Sequence, residues 1–173
     1  MKIRVSLLAI TILCTLSSAA APPTAAEAKA AFEKLRTLAG TWTSSSTKGW
    51  TETATYEVAA QGSVIIERSH FDGEPGDGMM TTIYLDGPRL LLTHYCEARN
   101  QPTLVASAIE DGGKRITFTF LSGTNMSSRD AGHMDSVVLQ LIDAGRMKSR
   151  WSWYERGAQK WFEEIESTRV AEP

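Results

Sequence analysis

Cysteine is almost absent from this chain of 173 residues: there are two, Cys14 and Cys96, and three histidines. Cys14 falls in a segment that reads as a removable leader, so Cys96 is left without a partner and a disulfide framework is excluded. An unpaired thiol in an oxidising compartment is either buried and inert or reactive. A basic excess is missing too. Lysine and arginine number 18 against 20 aspartates and glutamates, and the basic footprint of a nucleic-acid-binding protein is not there. No apolar run reaches the roughly 20 residues that a membrane-spanning helix needs. No tight metal-ligand motif is present, and the Gly- and Asp-rich stretch from Asp72 to Gly78 lacks the spacing and closing glutamate of a calcium loop.

The longest apolar run, Val5 to Leu16, covers 12 residues and sits between Met1-Lys2-Ile3-Arg4 and Ser17-Ser18-Ala19-Ala20. A basic start, an apolar middle and a small-residue exit form the pattern of a secretory signal peptide over residues 1–20. Cleavage after Ala20 places the protein in a periplasm or outside the cell. It removes Lys2 and Arg4 and no acid, leaving 16 basic against 20 acidic residues, a formal charge of −4 (16 − 20).

Residues 21–39 read as a linker and a helix. Thr24-Ala-Ala-Glu27 is a capping-box pattern, and Phe32, Leu35 and Leu38 give one apolar stripe. Gly40 stops the helix. Residues 40–173 then follow a period of two in strand-forming Thr, Val, Ile, Tyr and Trp. Nine turn signals, from Lys48-Gly49 to Arg156-Gly157, divide them into ten candidate strands. With no helices left for parallel crossovers, the expected fold is mainly β: an antiparallel up-and-down barrel of about ten strands with one short N-terminal helix. Closure removes the two exposed edges.

Alternation assigns faces. Ile116, Phe118 and Phe120 share the inner side of one strand, and Val137, Leu139 and Leu141 that of another, which carries His133 and Asp135 inward. Trp151 faces inward with Trp153. His94 and Cys96 go with Leu90 and Leu92, although Leu91 breaks that pattern.

The helix, the Gly40-Thr41-Trp42 strand opening and the meander resemble the calycin superfamily of lipocalin-like barrels. The resemblance implies that Trp42 closes one end of the barrel and that Arg169, on the last strand, packs across its ring. Leu92-Thr93-His94-Tyr95-Cys96, Asn100-Gln101-Pro102, Thr124-Asn125, Gly132-His133-Met134 and Trp151 resemble uncharacterised exported bacterial proteins of the DUF1579-like kind. That likeness implies polar groups within the barrel or at its mouth. Barrels of this size in nitrobindin-like proteins bind haem through a late histidine, but no motif here matches them.

The expected function is non-covalent binding of a small apolar or amphipathic ligand. Tyr56, Phe118, Phe120, Leu139 and Trp151 would form the wall, with His94 and His133 as polar anchors and Cys96 and Asn125 beside them. Asn100 and Asn125 also suit turns. No cofactor is required by the sequence. Haem stays open, as does zinc held by His94, Cys96, His133 and Asp135. An enzyme would use His94, Cys96 and His133 on a small substrate, though nothing marks an oxyanion hole. A packed barrel without a ligand is the third reading. Trp50, Trp151, Trp153 and Trp161 suit barrel filling, Met79 and Met80 core packing, and Glu163, Glu164 and Glu166 a solvated face.

Overall fold

A computed structural model describes residues 21–74 and 78–171; the expected leader over 1–20 lies outside the described residues. The first element, α1 (Ala25–Leu35), forms where the sequence places a cap. Glu27 N–H donates to Thr24 Oγ1 at 3.3 Å, and Thr24 N–H donates to Glu27 Oε2 at 2.8 Å. Ala28, Ala31, Phe32 and Leu35 make its buried stripe, and a short 3-10 turn, Arg36–Leu38, carries the chain into the first strand.

Ten strands follow: β1 (Gly40–Ser46), β2 (Thr51–Ala59), β3 (Val64–Phe71), β4 (Met80–Asp86), β5 (Arg89–Tyr95), β6 (Gln101–Glu110), β7 (Arg115–Thr124), β8 (His133–Leu141), β9 (Arg146–Glu155) and β10 (Ala158–Arg169). Each pairs antiparallel with its neighbours in sequence, and β10 pairs with β1 to close the barrel. Every strand thus has two partners and no edge is left open.

One end of the barrel is plugged. Trp42 is fully buried and donates from Nε1 to the Leu38 carbonyl at 2.8 Å. Arg169 is its direct cross-strand partner, with the guanidinium 4.4 Å from the indole centroid. The same guanidinium donates to the carbonyls of Thr37 and Ala39 at 2.6 Å each, and to that of Ala144 at 2.9 Å. Four segments are tied there by one cation. Gly40 is required at this point: its φ is +128°, and a Cβ would lie 2.8 Å from Arg169 Nη1. Above the plug, Ile65, Ile83, Leu90, Leu104, Ile116, Phe118 and Val137 fill the adjoining half of the barrel. Fully burying each such side chain stabilises by about 1.5–3 kcal/mol.

Two expectations about faces need correction. A register shift between Met134 and Ser136 breaks the two-residue count along β8. Met134 therefore joins the interior lining, whereas Asp135 is paired with Arg129 outside it. Along β5, Leu90 through His94 are all buried, and Leu92 and His94 are the ones that line the interior cavity. And Glu163 is not part of a solvated face with Glu164 and Glu166: it is only 5% exposed.

Candidate functional site

The half of the barrel away from the plug holds a cavity of about 70 Å³, space for several water molecules or the end of a small ligand. Apolar and polar side chains share its lining, Ile83 of β4 and Leu92 of β5 among the apolar ones. Leu139 of β8, Met147 and Trp151 of β9 and Ile165 of β10 supply an apolar wall. Glu52 and Tyr56 of β2, Glu67 and Ser69 of β3, Thr81 of β4 and His94 of β5 supply a polar one, continued by Glu163 and Ser167 on β10.

Register builds the polar wall. Tyr56 lies opposite Glu67, Glu67 opposite Thr81, and Thr81 opposite His94, so four consecutive strands contribute one rung. Cross-strand partners face the same side of a sheet, and here that side is the interior. Thr81 Oγ1 is 3.1 Å from His94 Nδ1. His94 is 4% exposed, with its ring 4.9 Å from that of Trp151, and its Nε2 is buried without a partner. Burial holds the imidazole down at about 4, so it is neutral at ordinary pH.

The carboxyls respond to the same burial in the opposite direction. Desolvation raises Glu52 to about 7, against the lowering effect of hydrogen bonds from Ser44 and Ser69 and with added repulsion from Glu163 and Asp72. Glu67 rises to about 8, first by desolvation and then by repulsion from Glu52. Tyr56, beside both acids, is driven well above 10 by burial and by their charge. Glu163 accepts from Ser46 Oγ at 2.9 Å and from Trp50 Nε1 at 3.1 Å. Among the described residues no lysine or arginine lines this cavity.

The cavity leads outward past Trp50, Met79, Met134 and Glu163, which also line a wider groove of about 780 Å³ at the mouth. Trp153 and Trp161 stack there, with ring planes 2° apart and centroids at 5.5 Å, and Lys48 sits 5.2 Å from the Trp161 centroid. Trp50 and Met79 therefore line open space where the sequence suggested packing, and Trp151 stands in the cavity wall.

The residues singled out from sequence end in five different settings. His94, Tyr56, Leu139 and Trp151 line the cavity. Cys96 lies past the end of β5 in a turn at the mouth groove, half-buried, with its thiol pushed up first by burial. Phe118 is packed in the plugged half. His133 is fully buried in a separate cluster: Arg129 donates to its Nε2 at 2.7 Å, and Nδ1–H is directed at the Ala131 carbonyl. Arg129 is itself held between Phe120 and Tyr154, 4.3 and 3.9 Å from their centroids, and pairs with Asp135. His133 is thus saturated, and the two histidines do not converge. Asn125 stands at φ 54° in a turn and donates to the Arg99 carbonyl. Asn100 donates to the Gly132 carbonyl at 2.7 Å. Among the described residues no group of three or more His, Cys, Asp or Glu is arranged to hold a metal ion, and none of the helices is long and apolar enough to cross a membrane.

Glu52 and Glu67 pass unread in the sequence, and Glu163 reads there as part of a solvated face. A signal was present: Glu52 shares a face with Ala54 and Tyr56, and Glu163 with Trp161, Ile165 and Ser167.

No family model matches this chain and no curated protein matches it, so the DUF1579-like kinship is not shown. Solved structures do resemble it. Rv2717c of M. tuberculosis matches with a TM-score of 0.53 at 13% identity, covering 82% of this chain and 98% of that one. A protein of unknown function from the DUF3598 family, from Nostoc punctiforme, matches with a TM-score of 0.48 at 13% identity, covering 78% of this chain. The chain spans about half the length of that protein, 48%. At such identities the likeness is one of fold.

Proposed function

We propose that this barrel binds a small amphipathic molecule, with its apolar part against Leu139, Met147 and Trp151 and its polar end toward Glu67, Thr81 and His94. One observation carries the reading. His94 Nε2 is buried without a partner at the wall of a cavity that opens, past Met79 and Met134, to an aromatic mouth. A buried polar atom with no partner costs about 1–3 kcal/mol, and a ligand reaching that wall removes the deficit. The mixture of apolar surface with a few fixed polar groups is the ordinary make-up of a small-molecule site.

The reading includes export. The leader pattern over residues 1–20 would deliver the barrel to a periplasm or beyond the cell, and N-terminal sequencing of the mature protein should begin at Ala21. Native mass spectrometry of protein purified from its own host tests the binding role. A co-purifying small molecule is the expected result. It should be lost from a Leu139→Trp variant that fills the apolar side. Protein that carries no ligand, and whose stability no small amphiphile raises, would overturn the reading.

A further inference from the structure

We propose that the polar end of this ligand is a cation: the barrel takes the ammonium head of a small amphipathic amine. This rests on the ligand-binding reading above and specifies its chemistry.

Charge and hydrogen-bond type carry the inference together. Three carboxyl groups, Glu52, Glu67 and Glu163, line one cavity of about 70 Å³, and among the described residues no lysine or arginine lines it. Glu163 accepts from the Ser46 hydroxyl and the Trp50 indole, and among the described residues no ion pair reaches Glu52 or Glu67. Each carboxylate offers about four acceptor sites, so acceptor capacity remains.

An acidic cluster alone would mark nothing. The independent observation is His94 Nε2, unpartnered in a side chain 4% exposed on the same wall. Neutral His94 carries one ring proton; when Nδ1 holds it and donates to Thr81 Oγ1, Nε2 meets the wall as an acceptor. In that tautomer the open nitrogen, like an ionised Glu67, asks for a donor. A primary ammonium brings three donors and a positive charge, and the apolar wall opposite excludes a fully hydrated ion.

The mouth has the same sign. Asp72, Glu74, Glu97 and Glu163 line it against a single base, Lys48, and that base already lies 5.2 Å from the Trp161 ring centroid. A cation moving inward crosses indole faces that favour it.

A proton count follows. The groups facing Glu52 and Glu67 are Glu163, Asp72, Tyr56, Thr81, Ser44 and Ser69, with no fixed cation among them. In the empty barrel burial keeps Glu52 and Glu67 protonated until about pH 7 and 8. An ammonium beside them favours the ionised form, so binding near pH 6.5 should release about one proton from a carboxyl to the buffer while the amine stays charged.

Calorimetric titration of the full mature chain with hexylamine, 1-hexanol and hexanoate tests this. At pH 8 hexylammonium should bind at least tenfold tighter than hexanol, with hexanoate weakest. At pH 6.5 its binding enthalpy should differ between buffers of different ionisation enthalpy, by about one proton released. Glu67→Gln should cut hexylammonium affinity about tenfold and leave hexanol within twofold, with near-UV circular dichroism confirming the fold. Glu164→Gln, on the exposed face, should change neither. Hexanol or hexanoate binding as well as the amine would overturn the cation and leave the ligand barrel standing. Silence from all three probes would overturn both.

Discussion

Replacing Glu67 by glutamine should change how stability depends on pH, and the size of the change follows from the buried rung. In the unfolded chain Glu52 and Glu67 titrate near 4.5, but in the barrel they hold protons to about 7 and 8. Over that interval the folded state binds more protons than the unfolded state, so stability falls as pH rises. Each pKa unit corresponds to about 1.4 kcal/mol. From pH 6.5 upward, Glu67 contributes a loss of about 2 kcal/mol and Glu52 somewhat under 1, together about 3 kcal/mol by pH 8.5. His94 acts with the opposite sign, because its folded value lies near 4, below the ordinary 6.5. It offsets one of the two carboxyls between about pH 4.5 and 6.5, where the decline should be half as steep. Guanidinium chloride unfolding at fixed pH gives the profile, read from the midpoint at constant m-value. Wild-type protein should lose about 3 kcal/mol between pH 6.5 and 8.5. Glu67→Gln should lose about 1 kcal/mol over the same range and be the more stable protein at pH 8.5. A flat or rising wild-type profile, or an unchanged slope in the variant, would refute the protonated interior.

Other perturbations separate the two ends of the barrel. Arg169→Met keeps the aliphatic stem but removes the bonds to Thr37, Ala39 and Ala144 and the cation over Trp42. The loss should be about 3 kcal/mol and lower Tm by roughly 6–12 °C in a scan, with no change in amine binding. Cys96, half-buried and with its thiol raised by burial, should react slowly with a disulfide reagent at pH 8 and fully after denaturation; rapid reaction of folded protein would contradict that environment. Met134→Trp puts bulk where cavity meets mouth. It should slow hexylamine association at least tenfold at a stability cost of about 1–3 kcal/mol, and an unchanged rate would mean that access lies elsewhere.

The barrel was legible because its signals are local. A capping box predicts α1, a period of two predicts strands, and short turns with no helices between them predict an antiparallel meander. The candidate site is not local. Its rung, Tyr56–Glu67–Thr81–His94, exists only once three registers are set, and no one strand reveals which residues become partners. Hydropathy also works against it, since a glutamate on an alternating strand is assigned to solvent until its face is known. Glu163 shows this most clearly: read beside Glu164 and Glu166 it is one of an acidic run, but read beside Trp161, Ile165 and Ser167 it points inward. His133 failed for a different reason. The register shift at Met134–Ser136 moved it off the count, and the Arg129 that saturates it comes from the preceding loop.

The distribution of cost inside the barrel separates scaffold from site. The half next to the plug is apolar and saturated, and Arg169 satisfies carbonyls that would otherwise be left at the ends of several segments. The other half holds three carboxyls, those of Glu52 and Glu163 buried, and an unpartnered imidazole nitrogen where methionine or leucine would pack without desolvating charge. Stability alone gives no reason for Glu67 in a position that holds its pKa near 8. Local violations of this kind, gathered on one wall of one cavity and facing its outlet, are the pattern of a functional site. The same residues that weaken the empty barrel above neutral pH are the acceptors that an ammonium would satisfy, so the stability lost with rising pH and the affinity for a cation should grow together until both carboxyls are ionised.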